Sequence, residues 1–227
     1  MFPFSSATQR EKPSVIDSTA IVFVIDDDAS MRRSVARLLD TAGYKTELFK
    51  SASDFLTRSV HPGPSCVIVD VRMPDLNGID FQKALIDQGR EEQLVFITGH
   101  GDIPMCAAVM KAGAVDFLPK PFKRDQLLAS VERALARSTE QRRRESEESH
   151  ARSLFERLTP REYEVMQLVA TGILNKQVGS ELGVAEKTVK THRAHVMQKL
   201  KITSVAELIV LLQKAGVSPI ARPGTKV

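Results

Sequence analysis

Cys66-Val67-Ile68-Val69-Asp70 is the stretch that decides the fold. It is a short apolar run with Pro64-Ser65 before it and Met73-Pro74 shortly after, the pattern of a strand buried on both faces of a parallel sheet. Asp70 stands at its C-terminal end, where open α/β sheets carry their active sites. Three further runs end in the same way. Ile21 to Ile25 is followed by Asp26-Asp27, Leu94 to Ile97 by Thr98, and Ala114 to Leu118 by Lys120 after one proline. Three acids, a hydroxyl and an ammonium are thus delivered by successive strand ends.

Between these runs lie helical patterns. Ser30 to Thr41 carries Met31, Val35, Leu38 and Leu39 at helical spacing, and Gly43 follows as a terminator. Thr46 to Phe49 reads as a second strand and Ala52 to Thr57 as a short helix. Asp80 to Asp87, Ile103 to Ala112 and Asp125 to Ala136 read as the helices after strands three, four and five. Five strands, each followed by a helix, predict a doubly wound five-stranded parallel sheet, an α/β flavodoxin-like architecture.

At 227 residues the chain has room for two domains. Residues 1–19 read as a flexible tail and 20–137 as the α/β domain. Residues 138–153 form a charged linker, with a solvated helix as the first reading and a flexible segment as the second. Residues 154–217 form a small all-α domain of four helices, and 218–227 a loose tail. In this second domain Thr159-Pro160-Arg161-Glu162 and Ser204-Val205-Ala206-Glu207 both have the form of a capping box. From Ser153 onward there are 11 Lys+Arg against 6 Asp+Glu, net +5, while the remainder is net −1. The basic domain is therefore the one expected to meet a polyanion. No run is long enough to span a membrane. Cys66 and Cys106 lie in apolar surroundings, as expected of reduced thiols in a cytoplasmic protein.

Asp26, Asp27 and Asp70 together would make a hard-oxygen site suited to Mg²⁺. Lys120 and Thr98 would bind the oxygens of a phosphoryl group, and an aspartate can accept that group covalently. A row of acids also decorates ordinary helix N-termini, the plainer account of Asp26-Asp27-Asp28. On a helical wheel, Val189, Val196 and Leu200 share one face of the third C-terminal helix, flanked by His192 and Arg193. Lys187, Lys190, Thr191, Ala194, His195 and Gln198 lie around the other. Such a helix, following a short helix and a Gly turn, fits a recognition helix in a major groove, although charge alone is better accounted for by a plain solvated basic face.

Val24 to Asp28, Asp70 with Arg72-Met73-Pro74-Asp75-Leu76-Asn77-Gly78, Thr98 to Asp102 and Lys120-Pro121-Phe122 resemble the receiver domain of two-component response regulators. Thr98 to Ala114 is similar in particular to the FixJ group. Leu158 to Glu162, Asn175 to Gln177, Leu182 to Val184, Thr188 to His192 and Lys199-Leu200 resemble the LuxR-type helix-turn-helix domain. The resemblance implies phosphorylation of Asp70 by a sensor histidine kinase, with Mg²⁺ at Asp26, Asp27, Asp70 and the backbone carbonyl of Arg72. It implies a cis peptide at Lys120-Pro121, a switch aromatic at Phe117 acting with Thr98, and no catalytic role for His100. In the helical domain it implies base contacts from Lys190 and Thr191, and phosphate contacts near Asn175, Lys176, Lys187 and Thr188. A homodimer formed on phosphorylation, binding promoter double-stranded DNA and engaging RNA polymerase, completes the expectation. The last helix is expected either to dimerise through Val205, Ile209 and Leu212 or to pack them in its core. Two rival readings are a haloacid-type phosphatase, which Arg72 at the position of a second catalytic acid disfavours, and a receiver acting as a phosphate sink or docking switch.

Overall fold

The computed structural model describes residues 19–99 and 103–220. The expected tail before residue 19, the loop residue His100 and the chain after residue 220 lie outside the described residues. Contacts divide the chain into two compact units, residues 1–141 and 142–227.

The first unit alternates strand and helix: β1 (Ile21–Ile25), α1 (Ala29–Thr41), β2 (Lys45–Phe49), α2 (Ala52–Leu56), β3 (Ser65–Asp70), α3 (Gly78–Asp87), β4 (Gln93–Thr98), α4 (Ile103–Lys111) and β5 (Asp116–Pro119). α5 (Arg124–Phe155) follows. The five strands are parallel in the order β2-β1-β3-β4-β5. Successive side chains of a strand point to opposite faces, and this alternation builds two cores. Val22, Val24, Cys66, Ile68, Val95 and Ile97 pack with Val35 and Leu39 of α1 and with Leu127 and Val131 of α5. Phe23, Ile25, Val67, Val69, Leu94 and Phe96 pack with Phe55, Phe81, Leu85 and Val109 of α2, α3 and α4. Each such side chain contributes roughly 1.5–3 kcal/mol on burial, so a two-sided sheet is strongly fixed in register.

α5 is a single helix of 32 residues that continues through the charged stretch. Its first turns belong to the first unit. Beyond Leu135, buried Ser138 accepts a hydrogen bond from Ser65 N–H at the start of β3 (3.0 Å). Gln141 accepts one from the Gln93 side chain at the start of β4 (2.8 Å). The polar stretch that follows has ion pairs one turn apart, Arg143 with Glu147 and Arg152 with Glu148, the pairing that supports a helix without an apolar face.

Ala151 and Phe155 at the end of α5 enter the core of the second unit. That core gathers Val165, Met166 and Val169 of α6 (Pro160–Ala170), Val178 of α7 (Asn175–Leu182), Val189, Val196 and Leu200 of α8 (Glu186–Leu200), and Leu208 and Leu212 of α9 (Val205–Lys214). The Thr159/Glu162 capping box is complete. At α9 the expected box is only half made. Ser204 Oγ accepts from Glu207 N–H, but the Glu207 carboxylate reaches Thr203 N–H instead (2.7 Å), one residue further back. Leu212 is core, whereas Ile209 and its neighbour Val210 are exposed. Ser218–Ile220 forms no helix or strand, and Ile220 N–H donates to Gln167 Oε1 (3.1 Å).

Candidate functional site: an acidic centre and a helix-turn-helix

Strand register assembles the acidic centre. Ile25 pairs with Val69, so Asp26 and Asp70 are the next residues of adjacent strands. Asp70 pairs with Ile97, which puts Thr98 one step beyond, and Thr98 pairs with Pro119, which puts Lys120 one step beyond again. The strand order reverses between β1 and β3, the position at which doubly wound sheets open a crevice for ligands.

Carboxylate oxygens of Asp26, Asp27 and Asp70 lie within 4.8 Å of one another. Asp26 and Asp70 are buried, and Asp27 is exposed. Lys120 Nζ is 2.5 Å from Asp70 Oδ2 and 3.0 Å from Asp26 Oδ2. Burial pushes the Asp26 carboxyl up from its ordinary value, and the Lys120 hydrogen bond and charge oppose it. For Lys120 burial is again the largest influence and pulls downward, but hydrogen bonds and charge from Asp70 and Asp26 outweigh it, so the ammonium is held above its ordinary value. Three oxygen-bearing acids open to solvent on the Asp27 side form a donor set that fits Mg²⁺, a cation that keeps several waters and takes few protein ligands.

Asp28 has a different duty. It is the N-cap of α1, accepting from Ser30 N–H (2.7 Å) and Met31 N–H (3.3 Å), and its own N–H donates to Asp26 Oδ1 (2.9 Å). Asp70 Oδ1 accepts from Arg72 N–H (3.0 Å). The loop then closes through Gly78 N–H to Val71 O (2.8 Å). A Cβ at residue 78 would stand 2.8 Å from the Phe96 ring and 3.0 Å from Val71 Cα, so only glycine fits beside β4 there. Thr98 is buried, and its carbonyl accepts from Lys120 N–H (2.7 Å). Phe117 is half-buried against the core that holds Phe96 and Val109. The Lys120–Pro121 peptide is cis.

In the second unit α7, a turn at Gly183 (φ +65°) and α8 make the helix-turn-helix. Lys176, Lys187, Thr188, Lys190 and Thr191 are exposed, and Asn175 is half-buried. Lys190 is paired with Glu186 one turn earlier (3.0 Å). Ala185 supplies no side-chain cap, yet α8 begins at Glu186. Two features escaped the sequence reading. Glu162 of α6 receives Lys199 Nζ of α8 at 2.6 Å, with Thr159 N–H at 2.8 Å, and these partners hold its carboxyl down to about 2. Arg193 Nη1 of α8 donates to Asn175 Oδ1 of α7 at 3.2 Å. Both pairs join residues far apart in sequence, so spacing alone carried no signal of them.

Among the described residues, no helix is long and apolar enough to cross a membrane. Residues 22–132 match the family described as response regulator receiver domain, and residues 156–212 match bacterial regulatory proteins of the luxR family. Nodulation protein W of Bradyrhizobium diazoefficiens is 47% identical over 199 residues, 88% of each chain. Transcriptional regulatory protein FixJ of Azorhizobium caulinodans is 39% identical over 87% of this chain and 94% of its own. Among solved structures, the response regulator StyR matches with a TM-score of 0.76 at 44% identity, over 87% of this chain and all of that one. Full-length FixJ from B. japonicum matches with a TM-score of 0.52 at 38% identity, over 86% and 97%. The acidic centre at the sheet's switch point, the helix-turn-helix and these likenesses agree: the chain belongs to the FixJ group of two-component response regulators, transcriptional regulators that join a receiver to a LuxR-type DNA-binding domain.

Proposed function

We propose that the protein is switched by phosphorylation of Asp70 by a sensor histidine kinase, and that the switched form dimerises and binds promoter DNA. The observation that carries this reading is the convergence of Asp26, Asp27 and Asp70 with the Lys120 ammonium at 2.5 Å. In the transfer, an Asp70 oxygen attacks the phosphorus while the bond to the kinase imidazole nitrogen breaks, and that nitrogen keeps the electron pair. Lys120 would hold a phosphoryl oxygen by charge, and Thr98 another by its hydroxyl. Mg²⁺, held by Asp26, Asp27, Asp70 and the Arg72 carbonyl, would supply charge neutralisation for the transferring oxygens.

Thr98 and Phe117 would relay the change to the face of α4 and β5, where two receivers pair. Pairing brings two helical domains to two half-sites, which raises avidity without a new contact. In each, Lys190 and Thr191 would face bases, with Asn175, Lys176, Lys187 and Thr188 at phosphates. The bound dimer would act on RNA polymerase. Light scattering with Mg²⁺, with and without beryllofluoride, tests the reading. A monomer that doubles in mass with the mimic, and fails to do so as Asp70→Asn, is the expected result. An Asp70→Asn protein that still acquires acid-labile phosphate would overturn it.

A further inference from the structure

We propose that Arg193 is a positioning residue for DNA binding: it fixes which end of the Asn175 carboxamide faces the phosphate backbone. The inference deepens the DNA-binding reading above and rests on it. Asn175 is the first residue of α7, and Arg193 lies midway along α8. Both are half-buried, and Arg193 Nη1 stands 3.2 Å from Asn175 Oδ1.

A guanidinium donates and never accepts. It therefore selects the amide oxygen and turns the amide NH₂ to the opposite side. A phosphate oxygen accepts and never donates, so an outward NH₂ is the useful orientation and an outward carbonyl is a repulsive one. A free Asn side chain would rotate between the two. Two neighbouring features point the same way. Leu174, the N-cap of α7, offers no side-chain acceptor to the first-turn N–H groups, and the one acceptor at this end, Gln177 Oε1, takes the Leu174 N–H (2.9 Å). Lys176, the next residue, is exposed. Arg193 thus serves α7 from α8, and couples the pose of the helix proposed to hold phosphate to that of the helix proposed to read bases.

The test is a double-mutant cycle in the full chain with Mg²⁺ and beryllofluoride. Binding is read on a labelled duplex of arbitrary sequence, because phosphate contacts are independent of sequence. Salt is set at about 0.15 M, where the Debye length is about 8 Å and distant charge is muted. Asn175→Ala is expected to lose about tenfold in affinity, and Arg193→Ala about five- to tenfold. The double variant is expected to lose no more than about twofold beyond Asn175→Ala, because Arg193 acts through Asn175. Arg193→Lys, which keeps a donor and the charge, is expected to recover most of the loss. Asn175→Asp is the sharpest arm. It strengthens the pair with Arg193 but offers no N–H, so thermal stability holds or rises while affinity falls by more than in Asn175→Ala. Full additivity in the cycle, with Asn175→Ala still losing affinity, would overturn the positioning role alone. Unchanged affinity in both Asn175→Ala and Asn175→Asp would overturn the phosphate contact itself and the inference with it.

Discussion

Lys120 Nζ lies 2.5 Å from Asp70 Oδ2 and 3.0 Å from Asp26 Oδ2, so one ammonium serves two of the three acids. It neutralises carboxylates that a bound cation would otherwise satisfy. The buried Asp26 shows the tension: burial raises its pKa and Lys120 draws it back. The Mg²⁺ proposed above would therefore compete with the chain's own cation for the same oxygens.

Removing that competitor gives the first prediction. Lys120→Met keeps most of the apolar stem and deletes the charge. Mg²⁺ affinity measured by calorimetry is expected to rise about tenfold, a change of about 1.4 kcal/mol and a modest share of a unit-charge interaction near a protein surface. The same variant is expected to melt lower than wild type in chelator and to recover when Mg²⁺ is added. Equal or weaker Mg²⁺ binding would show that Lys120 does not compete for the carboxylates.

Acid should loosen the helical domain through Glu162. Its folded pKa, about 2, lies below the ordinary 4.5, with Lys199 the largest cause and the Thr159 N–H next. A depressed carboxyl adds stability that is full above the unfolded value and is lost as pH falls toward the folded one. The window is thus about pH 4.5 down to about 2. Allowing for the partly exposed Lys199, the contribution is on the order of 2 kcal/mol. Glu162→Gln should speed hydrogen exchange of α6 amides at neutral pH, with the gap to wild type closing through that window. A gap independent of pH would assign the effect to the capping hydrogen bonds instead.

Much of the receiver was legible because its signals are local. The run Ile21 to Ile25 is β1 residue for residue, and the strand-end groups meet because parallel register leaves them little choice. Asp28 satisfied the plainer account of an acid at a helix start, while Asp26 and Asp27 did not. Glu162 shows where reading along the chain stopped. Its place in a capping box explained it completely, and nothing in the spacing pointed to Lys199, 37 residues on. Glu207 fooled the same pattern in the other direction: Ser-x-x-Glu is present, yet the carboxylate binds the N–H one residue earlier. The apolar excess of α9 could not separate core from contact, because Leu212 and Ile209 differ in direction and not in chemistry.

Glu186 pairs with Lys190 on the exposed side of α8. Its Oε1 is 3.0 Å from Lys190 Nζ, with both side chains largely exposed. Such a pair is worth only a few tenths of a kcal/mol to the fold, but it ties up the cation proposed to reach a base and brings a negative charge toward phosphates. Glu186→Gln is expected to tighten DNA binding about threefold without changing the melting temperature, whereas Lys190→Ala weakens it about tenfold. Fluorescence anisotropy at one fixed salt concentration compares them. Unchanged or tighter binding by Lys190→Ala would remove Lys190 from the contact surface, and weaker binding by Glu186→Gln would show that Glu186 does not hold Lys190 back.

Two glycines in the helix-turn-helix should answer alanine differently. Gly183 ends α7 with φ +65° and has open space where a Cβ would stand. Gly183→Ala therefore meets only the left-handed backbone strain, about 1 kcal/mol. Gly179 sits inside α7, and a Cβ there would come 2.7 Å from the backbone carbonyl of Val184. That carbonyl cannot swing aside freely, because Val184 N–H is bonded to Gly179 O (2.9 Å) and the turn is held against the helix. Gly179→Ala must push α7 and α8 apart, an overpacking cost of about 1–3 kcal/mol, and it shifts the two helices that have to meet DNA together. The expected order is a larger fall in melting temperature and in DNA affinity for Gly179→Ala than for Gly183→Ala, with Asp70 phosphorylation intact in both. If the two variants melt and bind alike, the close approach of Val184 to α7 is not what sets the angle of the recognition helix.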